Sequence, residues 1–324
     1  MKIKQMCMLV LLWLGVIPAM QAQTFDKLWK EVEQAEKKSL PQTVIKLTGE
    51  IYQKGEMEKN SPQMLKAYMW RMKYRDMLTP DSLYTGLQEL KQWAKQADKP
   101  MDRAILHSLI AGMYADYAAN NQWQLRQRTE IAGEAPSADM REWTANMFVE
   151  KVRTNVKEAM ADSVLLLNTS SRTYIPFVEL GETSEYYHHD MYHLLASRSI
   201  EALQRIQGLD RTTPIEAYSE ETSSEKESLV KQDIERIYDQ MLTSYKAKGD
   251  KEGCLLTSLN YLNWKHGTSK SFREPFRVKK GGTYMTFDPY ETGLDALKTE
   301  YKSLDLCAEV YLAQANNAIG KEQE

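Results

Sequence analysis

Prolines set the rhythm of the first third of this chain. Pro41, Pro62, Pro80 and Pro100 are separated by 21, 18 and 20 residues. Proline breaks a helix interior but is tolerated in the first turn. Each of these prolines stands where a helical pattern begins. The spacing therefore predicts single helices over Thr43 to Gln53, Gln63 to Met77, Ser82 to Gln96 and Arg103 to Asn120. An amphipathic helix from Phe25 to Lys38 precedes them, its stripe formed by Phe25, Leu28, Trp29, Val32 and Ala35. Two successive helices repeat after 39 residues (Pro41 to Pro80) or 38 (Pro62 to Pro100). The tetratricopeptide period is about 34 residues, and not all of its signature residues are present. The expected fold is all-α, a tetratricopeptide-like array of helical hairpins, or α-solenoid.

Composition supports helix. Ala, Leu, Lys, Glu, Gln and Met are abundant, and only 15 glycines and 10 prolines interrupt 324 residues. Lys2 and Lys4, the apolar run from Met8 to Ile17 and the small-residue exit Met20-Gln21-Ala22 read as a signal peptide over 1–23. The apolar run is too short to span a bilayer, and no later stretch approaches the required length. Cys7 precedes the apolar core, so it is not the cysteine of a lipoprotein signal. An exported protein of the periplasm or cell envelope is expected. Removing the leader takes two lysines and no acids, moving the formal charge from −3 to −5. Acids and bases are mixed throughout, so no basic stripe marks a nucleic-acid partner. The expected segments after the leader are helical-hairpin repeats over 24–168 and a second helical segment over 169–324.

The most distinctive run begins at Tyr186-Tyr187-His188-His189-Asp190-Met191-Tyr192-His193. At helical period Tyr187, Met191, Leu194, Leu195, Ala202 and Ile206 share a face. Ser184 is expected to cap this helix, with Glu185 at the positive end of its dipole. His189 and His193, four apart, would then lie together as paired metal ligands do, with His188 pointing elsewhere. No glutamate follows His189, so the pattern is not HExxH. Without a third ligand the expectation is a packed helix start and no stoichiometric zinc. His107, among Leu106, Ser108 and Leu109, reads as a core histidine. Cys254 and Cys307 fall on packed helices and are expected as free thiols.

Between these landmarks, Ser137 to Leu167 reads as a helical region with a break near Asp162-Ser163. Thr173 to Gly181 reads as an extended apolar strap, and Arg211 to Ser228 as an exposed acid-rich link. Ser228 to Lys248 and Gly253 to His266 form a helical hairpin around Gly249. Lys280-Gly281-Gly282-Thr283 suits a hairpin turn or a surface loop and lacks the GxxxxGK[ST] spacing of a phosphate cradle. The terminal helix is drawn from Leu294 to Ile319. Leu294, Leu297, Tyr301, Leu304, Ala308, Tyr311, Leu312 and Ile319 make its inward stripe, and Leu306, Val310 and Ala313 leave a second side bare for a protein partner. No catalytic, cofactor-binding or metal-binding residue is assigned, since neither a GxSxG elbow nor a Cys–His signature is present.

The run TFDKLWKEVEQAEKKSLPQTVIKLTGEIYQKG, Thr24 to Gly55, resembles the mature amino terminus of bacterial alpha-2-macroglobulin family proteins. SPQMLKAYMWRMKY, ILHSLIAGMYADYAANNQW and YYHHDMYHLLASRSIEAL are similar to the same helical amino-terminal region. The resemblance covers nearly all of the chain after the leader and rests on packing motifs. Family members continue into β-sandwich macroglobulin domains and a thioester domain, which this sequence does not contain. Their protease-trapping chemistry joins a Cys thiol to a Gln side chain within CxEQ. Here Cys307-Ala308-Glu309-Val310 puts Val where the Gln would stand, so no functional residue carries over. The resemblance implies a non-catalytic exported scaffold or protein-interaction region. Two alternatives stand beside it: a secreted glycan-binding module, and a metal-dependent hydrolase using His189 and His193.

Overall fold

A computed structural model describes residues 24–79, 82–128, 137–210, 228–269, 272, 275–280 and 283–323. The leader and nearly all of the acid-rich link lie outside these residues. The fold is all-α. Its helices are α1 (Phe25–Lys37), α2 (Pro41–Met57), α3 (Ser61–Leu78), α4 (Ser82–Gln96), α5 (Pro100–Asn120), α6 (Gln122–Gln127) and α7 (Ala145–Ala159). They continue through α8 (Ser163–Leu167), α9 (Met191–Ile206), α10 (Leu229–Lys248), α11 (Lys251–Thr268), α12 (Pro289–Glu300) and α13 (Cys307–Gln323). One antiparallel hairpin, β1 (Phe276–Lys280) with β2 (Thr283–Phe287), interrupts them, pairing Lys280 with Thr283 across the expected turn.

The prolines do what their spacing demands. Pro41, Pro62 and Pro100 each occupy the first turn of a helix, as Pro289 does further on, while Pro80 lies outside the described residues. The turns between helices share a geometry that the prolines do not reveal. After α1, Ser39 takes φ 52°, its amide reaches Glu36 O at 2.9 Å, and the Leu40 amide reaches Ala35 O at 2.9 Å. After α2, Lys59 takes φ 53°, and the Asn60 amide reaches Gly55 O at 2.8 Å. After α10, Gly249 takes φ 68°, and the Asp250 amide reaches Tyr245 O at 3.0 Å. Each is a Schellman turn, closing the open carbonyls of one helix. In each, the residue after the left-handed one is already the N-cap of the next helix.

Contacts divide the chain into two compact units. The first comprises residues up to Gly86 together with Ile175–Phe177, and the second comprises Leu87–Tyr174 and Val178–Glu324. The division runs through α4, and the boundary expected between 168 and 169 lies inside the second unit. In the first unit, Leu28, Val32 and Ala35 of α1 pack with Val44 and Ile51 of α2 and Ala67 of α3. In the second, α5 packs on α7 and α9, and helices then follow in chain order: α9 on α10, α10 on α11, α11 on α12, α12 on α13. Ile105, Leu106, Ile110, Tyr114 and Ala118 of α5 are all buried, as a helix between two neighbours requires.

Three expectations are corrected. The helix drawn from Tyr186 begins at Met191, because Asp190 and not Ser184 caps it, accepting from the His193 amide at 3.0 Å. The strap is not extended. Ser171–Tyr174 is a 3-10 turn, and Ile175–Phe177 turns again around a cis Ile175–Pro176 bond. The terminal helix breaks between Glu300 and Cys307, where turns replace six residues of helix. The break lets Tyr301, Cys307 and Val310 all bury, and tertiary burial overrides the continuous helical pattern. The phase shifts with it. Val310, expected on the bare side, is fully buried, while Tyr311, Leu312 and Ile319 from the expected inward stripe are 56%, 55% and 54% exposed.

The shared turn yields a test with opposite signs. Ser39→Gly should raise the urea midpoint by about 0.5 kcal/mol of stability, since glycine relieves left-handed strain but loses more chain entropy. Gly249→Ala should lower stability by about 1 kcal/mol, all of it backbone strain, because an added Cβ meets nothing within 4 Å. Equal signs for the two changes would refute the turn assignment.

Candidate functional site

The chain crosses itself where α9 begins. The Met191 amide donates to Thr169 O at 2.9 Å and the Ser171 amide to His189 O at 3.0 Å, a single antiparallel rung around Ser170 and Asp190. This rung holds His188 at φ 57°. A non-glycine residue there is strained, although histidine is among those that tolerate it. Several contacts fix it. Ser171 Oγ donates to His188 O at 2.8 Å, the His188 amide donates to Tyr245 Oη at 3.4 Å, and Ser197 Oγ lies 2.6 Å from His188 Nε2. The Tyr187 ring packs beside the imidazole, centroids 3.7 Å apart. Burial drives the His188 pKa down to about 4, so the ring is neutral at neutral pH.

Asp190 gathers the second half of the cluster. Beyond capping α9, its two oxygens lie 2.8 and 2.9 Å from His193 Nδ1, and Lys248 Nζ of α10 reaches Oδ2 at 2.6 Å. Burial alone would raise its pKa. The hydrogen bonds from His193 and Lys248 outweigh that and hold it at about 2. An ionised carboxylate against Nδ1 assigns the proton to that nitrogen. Nε2 of His193 then faces no hydrogen-bond partner, in a side chain of zero exposure, and the Tyr245 ring stacks over it at 3.7 Å.

The expected pair therefore does not form. His189 is exposed and precedes α9, whereas His193 is buried within it. The histidines that share surroundings are His188 and His193, bridged by Tyr245. Among the described residues, no group of three His, Cys, Asp or Glu side chains is placed to hold a metal ion. His107 is half-buried and bonds Asn155 Oδ1 at 2.8 Å. Cys254 and Cys307 are free and buried, and burial pushes the Cys254 thiol up. Asp190 was the residue the sequence pattern underused. An Asp three positions before the residue whose amide it caps is an N-cap signal.

A cleft opens beside His188, about 430 Å³ in volume, lined from α9 by Ser197, Glu201 and Gln204 and from α11 by Asn260, Asn263 and Trp264. Two ties hold α11 at the two ends of α9. Tyr187 Oη lies 3.2 Å from Thr257 Oγ1, and Trp264 Nε1 donates to Gln207 Oε1 at 2.9 Å. A larger open groove of about 990 Å³ lies between α7–α8 and α10, with Lys157, Tyr192, Arg236 and Lys248 on its walls.

The cluster makes acid stability a test. His188 is depressed from 6.5 to about 4, so between those values the unfolded chain binds the extra proton. Stability is fully present above pH 6.5, falls on acidification to about pH 4, and levels off there. The loss is on the order of 3 kcal/mol. Asp190 adds a second limb, present above its ordinary value of 3.8 and lost as pH falls through about 2. His188→Asn, whose side chain also accepts a left-handed backbone, should flatten the first limb and leave the second in thermal melts across pH. An unchanged first limb would place its origin at another histidine. Comparison of the chain with protein-family models, curated proteins and solved structures returned no match.

Proposed function

We propose that this chain is a non-catalytic, exported helical scaffold, a protein-interaction region like the amino-terminal part of alpha-2-macroglobulin family proteins. The recurring Schellman turns and the chain-order packing of α9 through α13 support a solenoid reading. Such arrays present extended surfaces, because each hairpin contacts only its neighbours. The CxEQ-like string Cys307-Ala308-Glu309-Val310 fits packing rather than trapping, since Cys307 and Val310 are both buried. The mixed charge and the leader pattern support export away from nucleic acid. No helix among the described residues is long and apolar enough to cross a membrane.

The observation that carries this reading is the outer face of α13. Tyr311, Leu312 and Ile319 are each more than half exposed on one helix. An apolar row of this kind on a surface marks a protein contact. The occupant in this reading is another polypeptide.

Two measurements check it. A photo-cross-linking residue at Leu312, introduced in cells that make the protein, should give a protein adduct of discrete mass, and one at exposed Glu58 should not. Tyr311→Glu with Leu312→Glu should remove the partner while leaving the melting temperature within a degree or two, because neither side chain is buried. Equal background at both positions would sink the interface. Mass spectrometry of the mature protein should find Lys2 and Lys4 gone; a full-length cytosolic product would sink export.

A further inference from the structure

The cleft between α9 and α11 is built for a ligand of defined chemistry. Its volume of about 430 Å³ falls within the range of small-molecule sites. None of the described residues that line it is a lysine or arginine, so none of them balances a phosphate or carboxylate. Among the described lining residues Glu201 is the one acid, and Arg198 already pairs with it at 3.1 Å. The aromatic walls Tyr187, Tyr238 and Trp264 are 8%, 5% and 8% exposed. They bound the cleft without offering an open ring face, which an organic cation would need.

What remains are side-chain amides. Gln204, Asn260 and Asn263 each carry two N–H donors and an acceptor; Gln204 hydrogen-bonds Tyr238 and Asn260 hydrogen-bonds Tyr187, and each amide keeps further groups for a ligand. Tyr290 already donates to Asn263 Oδ1 at 2.7 Å, which leaves the amide nitrogen to turn toward a ligand. Alternating donors and acceptors over a small volume match the hydroxyl groups of a sugar ring. The Ser197–His188 contact invites a nucleophile reading, but a buried imidazole this weakly basic is a poor general base at neutral pH. The pair instead fixes the cleft edge. The strained His188 backbone, over-determined by Ser171, Tyr245 and Ser197, sits at that edge, where such strain accompanies function.

We propose that the cleft between α9 and α11 binds a neutral polyhydroxylated ligand, a mono- or disaccharide, through Gln204, Asn260 and Asn263. This site is separate from the α13 face, and the cross-linking result does not bear on it. The test uses the whole mature protein with glucose, galactose, N-acetylglucosamine and maltose as probes, and inorganic phosphate and spermidine as charged comparators. Saturation-transfer NMR and titration calorimetry should show saturable binding of at least one sugar and of neither comparator. Asn260→Ala with Asn263→Ala should weaken that binding by about tenfold or more. Its circular dichroism should match the parent, since both side chains are exposed, while loss of the Tyr290–Asn263 bond should lower the melting temperature by only about 2–4 °C. Absence of saturable sugar binding by folded protein, binding that survives the double change, or saturable binding of phosphate or spermidine would each overturn the proposal.

Discussion

Asp190 is the residue on which the middle of this fold depends. One carboxylate caps α9, orients His193, meets Lys248 of α10 and sits at the backbone rung beside Ser170. These roles reinforce each other physically. The positive end of the α9 dipole favours the ionised form, and so do the amide and ammonium donors. The carboxylate is 10% exposed, whereas the Lys248 side chain is 44% exposed. The cost of losing Asp190 would therefore fall on the cap and on His193, not on an uncompensated buried ammonium. His193 is the more demanding partner. It is fully buried with one nitrogen unsatisfied, and only the carboxylate on its other nitrogen compensates that burial.

Much of the helical layout is written in local chemistry. Proline in the first turn is enough to place α2, α3 and α5 within a few residues, and α3 adds a capping side chain, Asn60. The α10–α11 pair follows from Gly249, which marks its turn openly. The equivalent turns at Ser39 and Lys59 are hidden, because serine and lysine do not advertise a left-handed backbone. Tertiary packing imposes that conformation on them, at a strain of about 1 kcal/mol each. The hairpin around 276–287 was legible as one option, since two small residues between β-prone runs suit a tight turn.

The candidate site was less legible, and for a specific reason. Helical periodicity places residues on a face only if the helix is already running. Reading a helix from Tyr186 put His189 and His193 together. The true start at Met191 separates them and brings in His188, which is not helical at all. The same error of phase reversed the terminal helix, where the turns after Glu300 rotate Val310 inward and Tyr311 outward. In both cases a side chain with strong tertiary demands, Asp190 or Tyr301, breaks a pattern that local propensity would have continued. Ser197, Tyr245 and Lys248 joined the site from separate helices, which spacing within one segment does not show.

The cleft follows from how α9 and α11 are joined. Helices packed side by side normally close the space between them with interdigitating side chains. Here α11 is tied at its Thr257 end to Tyr187, before α9, and at its Trp264 end to Gln207, just after it. Those ties meet the cleft at both ends, and its walls between them carry Ser197, Gln204, Asn260 and Asn263 beside Ile200, Glu201 and Tyr238. Tyr187 in turn packs against His188, whose backbone is held by Ser171 and Tyr245. The walls are thus fixed from outside the cleft before anything enters it. A cavity positioned this way loses little side-chain freedom on binding, which is where much of the cost of association otherwise lies. The strained His188 backbone lies at the edge of this open space, next to Tyr187, whose hydroxyl ties the start of α9 to α11.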